Sequence, residues 1–252
     1  MRFVRNSIFL SLCLGNVFGQ DGGHQDYSAA LKELQTAAKA GQEEKVLQSM
    51  ATMLAADPTR AAQDAIALVG GVEDLAAYYG ILTSLGETWS TEGIAAIATA
   101  IRSDKTAKEV RRDLVIPIQL NEYAAADEVV VDLLKDASLP ADIRIVMIEE
   151  SAKRKIKDAI PALIDTLRAE EKKSPPKKDD PKKKGNGKAP EPGSQVSDVT
   201  RASRAALVTL TDKVLADADA YANWWGAAKG EFVVPGRKVD GKGAVSTLSG
   251  ST

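Results

Sequence analysis

An all-α fold is predicted from three features of this sequence. Apolar residues recur at helical spacing over most of the chain. Alternating strand patterns are nearly absent between Tyr27 and Arg168. Alanine, the strongest helix former, is abundant, while aromatic residues make up only 5%.

The elements follow in chain order. MRFVRNSIFLSLCLGNVFG (1–19) has a basic start at Arg2 and Arg5 and an apolar run from Ile8 to Leu14. Val17 and Gly19 are small residues suited to a cut after Gly19. That order predicts a signal peptide and an exported protein, periplasmic, envelope-associated or extracellular. Leu12 before Cys13 does not fit a lipobox. Cys13 is the single cysteine, so removal of the signal leaves none, and apolar burial alone must hold the exported fold. Cleavage also removes Arg2 and Arg5, leaving 31 basic against 35 acidic residues, a net charge of −4. That mild acidity argues against nucleic-acid binding. After the signal, no run approaches the ~18 apolar residues of a membrane span.

Residues 20–26 are expected as a flexible polar leader. Ala30, Leu31, Leu34 and Ala38 predict a first helix that ends at Gly41. Val46, Leu47, Met50 and Leu54 predict a second. Pro58 opens a third, which ends at Gly70–Gly71.

Three segments then superpose without gaps at a spacing of 33 residues: EGIAAIATAIR (92–102), AADEVVVDLLK (125–135) and DAIPALIDTLR (158–168). Ile97, Val130 and Leu163 are equivalent, as are Ile101, Leu134 and Leu167. Each segment ends on a cation, suited to the negative end of a helix dipole. A partner helix precedes each at the same spacing, with Ile81, Leu114 and Met147 equivalent. Asp142 is expected to cap its helix. Pro117 should kink or shorten its own. A fixed period with two amphipathic helices predicts an α–α superhelix of stacked hairpins, none of which buries its apolar face alone.

The residues 142–168 resemble a HEAT repeat. Val110-Arg111 and Ile143-Arg144 match the Val-Arg that often starts that family's first helix. Ile160, Pro161, Leu163 and Leu167 match the apolar signature of its second. Residues 197–212 are similar to a further first helix. The array is expected over 27–168. Together with the signal peptide and the late Trp-Trp pair, the chain is similar to exported HEAT-repeat proteins of planctomycete-type bacteria. The resemblance implies a non-enzymatic scaffold that presents a solenoid surface to a protein partner. Arg111, Arg112 and Arg144 are candidate partner contacts; arginines at such positions often stabilise inter-repeat contacts in HEAT-like arrays.

Residues 169–197 are expected as a disordered insert, with five of the ten prolines and eight lysines between Lys172 and Lys188. A solvated spacer is one reading. The other is a basic arm for an anionic cell-surface polymer or acidic partner, acting through Lys177, Lys178, Lys182, Lys183 and Lys184. Asp179 and Asp180 interrupt the charge, and no aromatics are interleaved for base stacking. A terminal unit is expected over 198–232. Tyr221, Trp224 and Trp225 share a helix face and are candidates to cap the open end of the array. An exposed aromatic hot spot is the alternative. Residues 233–252 are expected as a loose tail.

Catalytic signals are weak. The one histidine, His24, lies in the leader. No Walker, G-x-S-x-G or dinucleotide motif is present, and no Cys/His set suits zinc. Asp217 and Asp219 are expected as cap and first-turn residues. Glu149-Glu150 and Glu170-Glu171 are adjacent carboxylates that point about 100° apart on a helix, and they are expected as solvated charges. No catalytic residue, metal or cofactor is expected.

Overall fold

The computed structural model describes residues 20–173 and 196–236. The expected signal peptide, most of the insert with its five candidate lysines, and residues 237–252 of the tail lie outside the described residues. Among the described residues every regular element is helical.

The helices are α1 (Gln20–Lys39), α2 (Glu43–Ala56), α3 (Pro58–Val69), α4 (Leu75–Leu85), α5 (Thr91–Arg102), α6 (Lys108–Asp113), α7 (Val115–Leu120), α8 (Ala124–Lys135), α9 (Ala141–Lys153), α10 (Ala159–Lys173), α11 (Asp198–Thr211) and α12 (Ala218–Ala228). None is long and apolar enough to cross a membrane. Local chemistry sets their ends. Gly41, at φ +63°, lets the chain reverse after α1 in a conformation that costs other residues energy. Asp57 accepts the Arg60 amide, with Pro58 opening α3 behind it. Asp74, Ser90, Ser197 and Asp217 cap α4, α5, α11 and α12 in the same way.

Pro117 has the expected effect. It has no N–H to bond back to Asp113, and the helix breaks at Leu114 into α6 and α7. Three other expectations are corrected. Asp142 does not cap α9; Pro140 holds that position and Asp142 lies in the first turn. Residues 20–26 are helical rather than irregular, since the turns packed from Tyr27 onward propagate backwards at little cost. Helix α10 runs on to Lys173, so 169–173 belong to the fold. In addition, Val234 of the expected tail is buried.

The helices pack in two rows. One is α2, α4, α7, α9 and α11, each against the next; the other is α3, α5, α8, α10 and α12. Helix α1 lies against α2. The 33-residue register is visible in the core. Ile81, Leu114 and Met147 are fully buried. The triplets Ile97/Val130/Leu163 and Ile101/Leu134/Leu167 are buried to within 2%. Polar contacts tie successive units together. The Tyr27 hydroxyl donates to Asp64 at 2.7 Å and the Tyr78 hydroxyl to Asp113 at 3.1 Å. Burial, with a carboxylate alongside, pushes both phenols well above their ordinary pKa. Arg102 reaches Asp132 and Asp136 on the next unit.

Gly93 marks the closest approach. A Cβ there would lie 2.6 Å from Ser90 Oγ, 2.6 Å from Thr88 Cγ2 and 3.1 Å from the Pro58 carbonyl oxygen. Gly93→Ala is therefore expected to cost about 1–3 kcal/mol through overpacking, despite alanine's higher helix propensity. Urea unfolding checks this; a variant as stable as the parent would show that the α3–α5 contact is not tight.

Candidate functional site

Two places concentrate polar or aromatic chemistry. The first is the C-terminal turn of α10. Glu170 is 7% exposed. Its carboxylate accepts from Arg144 Nη1 of α9 at 3.3 Å, Lys173 Nζ at 2.8 Å and Ser197 Oγ at 3.0 Å. Burial pushes its carboxyl upward, but the hydrogen bonds from Lys173, Ser197 and Arg144 together outweigh it, and the net shift is downward. Glu171 accepts from Arg204 Nη2 at 2.7 Å and from the Ala218 amide at 3.2 Å. The two carboxylates thus bind α11 and the start of α12 to the rest of the molecule.

This overturns the reading of the glutamate pairs as solvated. Glu150 is also buried, at 2% exposure, and accepts from Arg154 Nε at 2.8 Å and from Lys153 Nζ. The sequence carries the signal. Glu170 follows Leu163 and Leu167 at i+7 and i+3, and Glu150 follows Ile143 and Met147 in the same way. Each glutamate continues an apolar stripe, so it faces inward while its neighbour does not. Glu149 is exposed and Glu171 is half-buried.

The candidate arginines separate. Arg144 is 6% exposed and engaged with Glu170, with Nε unpartnered, so it faces the interior. Arg111 is largely covered and reaches Asp104 at 3.0 Å, again with a buried, unpartnered Nε. Arg112 is the exposed one, against Asp113. At the C-terminus Tyr221 is buried and its hydroxyl donates to the Lys213 carbonyl at 2.8 Å. Trp224 and Trp225 are half-buried. Both make edge-on contacts with Phe232, at centroid distances of 5.2 and 5.7 Å. Asp217 caps α12 through the Ala220 amide at 2.8 Å, with Asp219 in the first turn.

The second place is the edge formed by the turns between the two helices of each hairpin. Equivalent positions 88, 121 and 154 make a ladder along it. Asn121 Nδ2 donates to the Thr88 carbonyl at 2.7 Å. Arg154 donates to the Ile118 and Gln119 carbonyls, which end α7 without helical partners, and pairs with Asp127 and Glu150. Beside this ladder Trp89, Leu120 and Tyr123 are 56%, 50% and 46% exposed. None of the three lies on a periodic helix face, so helical spacing does not single them out. An aromatic in a turn between two helices was the available signal.

Among the described residues no group of three or more His, Cys, Asp or Glu side chains is arranged to hold a metal. The chain matches no protein-family model, no curated protein and no solved structure.

Proposed function

We propose that this chain is an exported, HEAT-like helical-repeat scaffold without enzymatic activity, which binds a protein partner through the surface of its hairpin array. The observation that supports it is the two-row succession of helices with buried residues in a 33-residue register. Stacked hairpins of this kind form a continuous surface whose turns line an edge, and such surfaces serve as binding faces in repeat proteins. The N-terminal charge and apolar pattern supports export. The test places a photoreactive residue in turn with Trp89 and, separately, at Ala137 in the α8–α9 turn on the opposite edge, in cells. A discrete adduct with one envelope or secreted protein is expected, on a chain whose mature N-terminus is Gln20. Absence of an adduct at every exposed position tried would overturn the scaffold reading, and an uncleaved N-terminus the export reading.

A second reading, a binder of an anionic surface polymer or acidic partner, rests on the lysines of the insert. One observation makes it cleanly testable. Lys173 and Ser197, on either side of the insert, both bond to Glu170 and so lie close together. Deletion of 174–188 is therefore expected to leave the melting temperature within a few degrees of the parent, since lengthening or shortening a loop changes closure entropy little. Retention on a polyanion column decides the rest: a marked loss supports the arm, and unchanged retention removes it.

A further inference from the structure

The Trp89 edge carries an inference that rests on the scaffold reading and deepens it. Trp89 and Tyr123 belong to consecutive turns held together by the Asn121–Thr88 hydrogen bond, and Leu120 ends α7 just before the second of them. Large apolar groups that remain exposed on adjacent turns form a patch rather than isolated surface residues. On these two turns the charge is one-sided. Neither turn segment, 86–93 or 119–128, contains a lysine or an arginine. Glu87, Glu92 and Glu128 are exposed and, among the described residues, in no ion pair. The next turn on this edge, α9–α10, does carry cations, but Arg154 is only 14% exposed at its side chain and is committed to Asp127 and Glu150, Lys153 pairs with Glu150, Lys155 donates to the Thr209 carbonyl, and Lys157 is half-buried. Glu92 also opens a shallow groove of about 590 Å³ that continues along α3 and α5 past Ala95, Ala96 and Thr99. Small side chains along such a groove leave room for an extended backbone.

We propose that the Trp89–Tyr123 edge is a docking site for a basic, extended peptide segment of a partner protein, rich in lysine and proline. The chemistry fits both residue types. An indole face attracts an ammonium group and packs against its methylene stem. Proline-rich segments hold an extended form without hydrogen bonds of their own and lie against exposed aromatic side chains. Unpaired carboxylates on either side favour a cation and exclude acidic partners.

The test is fluorescence anisotropy with a labelled lysine–proline peptide, a matched glutamate–proline peptide and the full-length chain. Saturable binding of the lysine peptide is expected, weakening as salt rises. Trp89→Ala is expected to weaken it at least tenfold, Trp89→Phe much less, and the triple variant E87Q/E92Q/E128Q at least tenfold. All these positions are exposed, so circular dichroism and melting should match the parent. No binding by the parent chain, equal binding of the glutamate peptide, or parent-like affinity in both Trp89→Ala and the triple variant would overturn the proposal. A partner adduct at Ala137 with no lysine-peptide binding would remove the surface assignment alone; no adduct at either edge would remove the scaffold reading beneath it.

Discussion

Replacing Glu170 with alanine is expected to destabilise the protein by about 3–5 kcal/mol, the usual cost of leaving one member of a buried ion pair behind. Arg144 is the member left behind. The hydrogen bond to Glu170 is the only one its guanidinium makes among the described residues, and its Nε already lacks a partner. The reverse change, Arg144→Met, is expected to cost less, because Glu170 keeps Lys173 and Ser197. Chemical denaturation of the two variants measures this asymmetry; equal losses would mean that Lys173 and Ser197 do not offset the burial of the carboxylate. The same residue sets a pH dependence. Its folded pKa lies below its unfolded one, so its contribution is present above the ordinary carboxylate range of about 4.3 and is lost as pH falls through the folded value. Stability should therefore fall on acidification in the parent, and less steeply in Glu170→Gln. Parallel profiles for the two would show that other carboxylates dominate the acid limb.

Leu163→Ala should have a comparable effect, about 2–5 kcal/mol, through lost burial and the cavity left behind. Leu163 is fully buried and stands at the repeat position shared with Ile97 and Val130. The hairpins pack on their neighbours, so the loss should propagate along the array instead of staying local. Hydrogen exchange would show this as reduced protection in α8 and α11 as well as α10. A change confined to α10 would mean that neighbouring units do not share one cooperative core. The two large effects have different origins, one an uncompensated charge and the other lost apolar contact.

Much of the helical pattern was legible because it is written locally. Gly41, Pro58 and Asp217 act within a turn of where they stand. Pro117 broke its helix at Leu114 for a reason contained in its own ring. The leader and the ends of the insert were less legible. Polar composition marked them as irregular, but α10 continues because Glu170 and Glu171 find partners in α9, α11 and α12. Those partners lie 26 to 47 residues away in the chain.

The candidate site divides in the same way. Arg111, Arg112 and Arg144 look alike in sequence, at the starts of equivalent helices. Tertiary packing buries Arg144, covers most of Arg111 and leaves Arg112 in solvent. Trp89 and Tyr123, 34 residues apart, become neighbours in surface terms through a bond between Asn121 and a backbone carbonyl.

By itself, then, the sequence determined the helical class, the 33-residue register and the cap and break residues, because periodicity and backbone chemistry act over one or two turns. Tertiary structure alone decided which partners the buried glutamates find, which arginine stays in solvent, and which aromatics share an edge. Pairing depends on what arrives from distant parts of the chain, and no local pattern encodes that arrival.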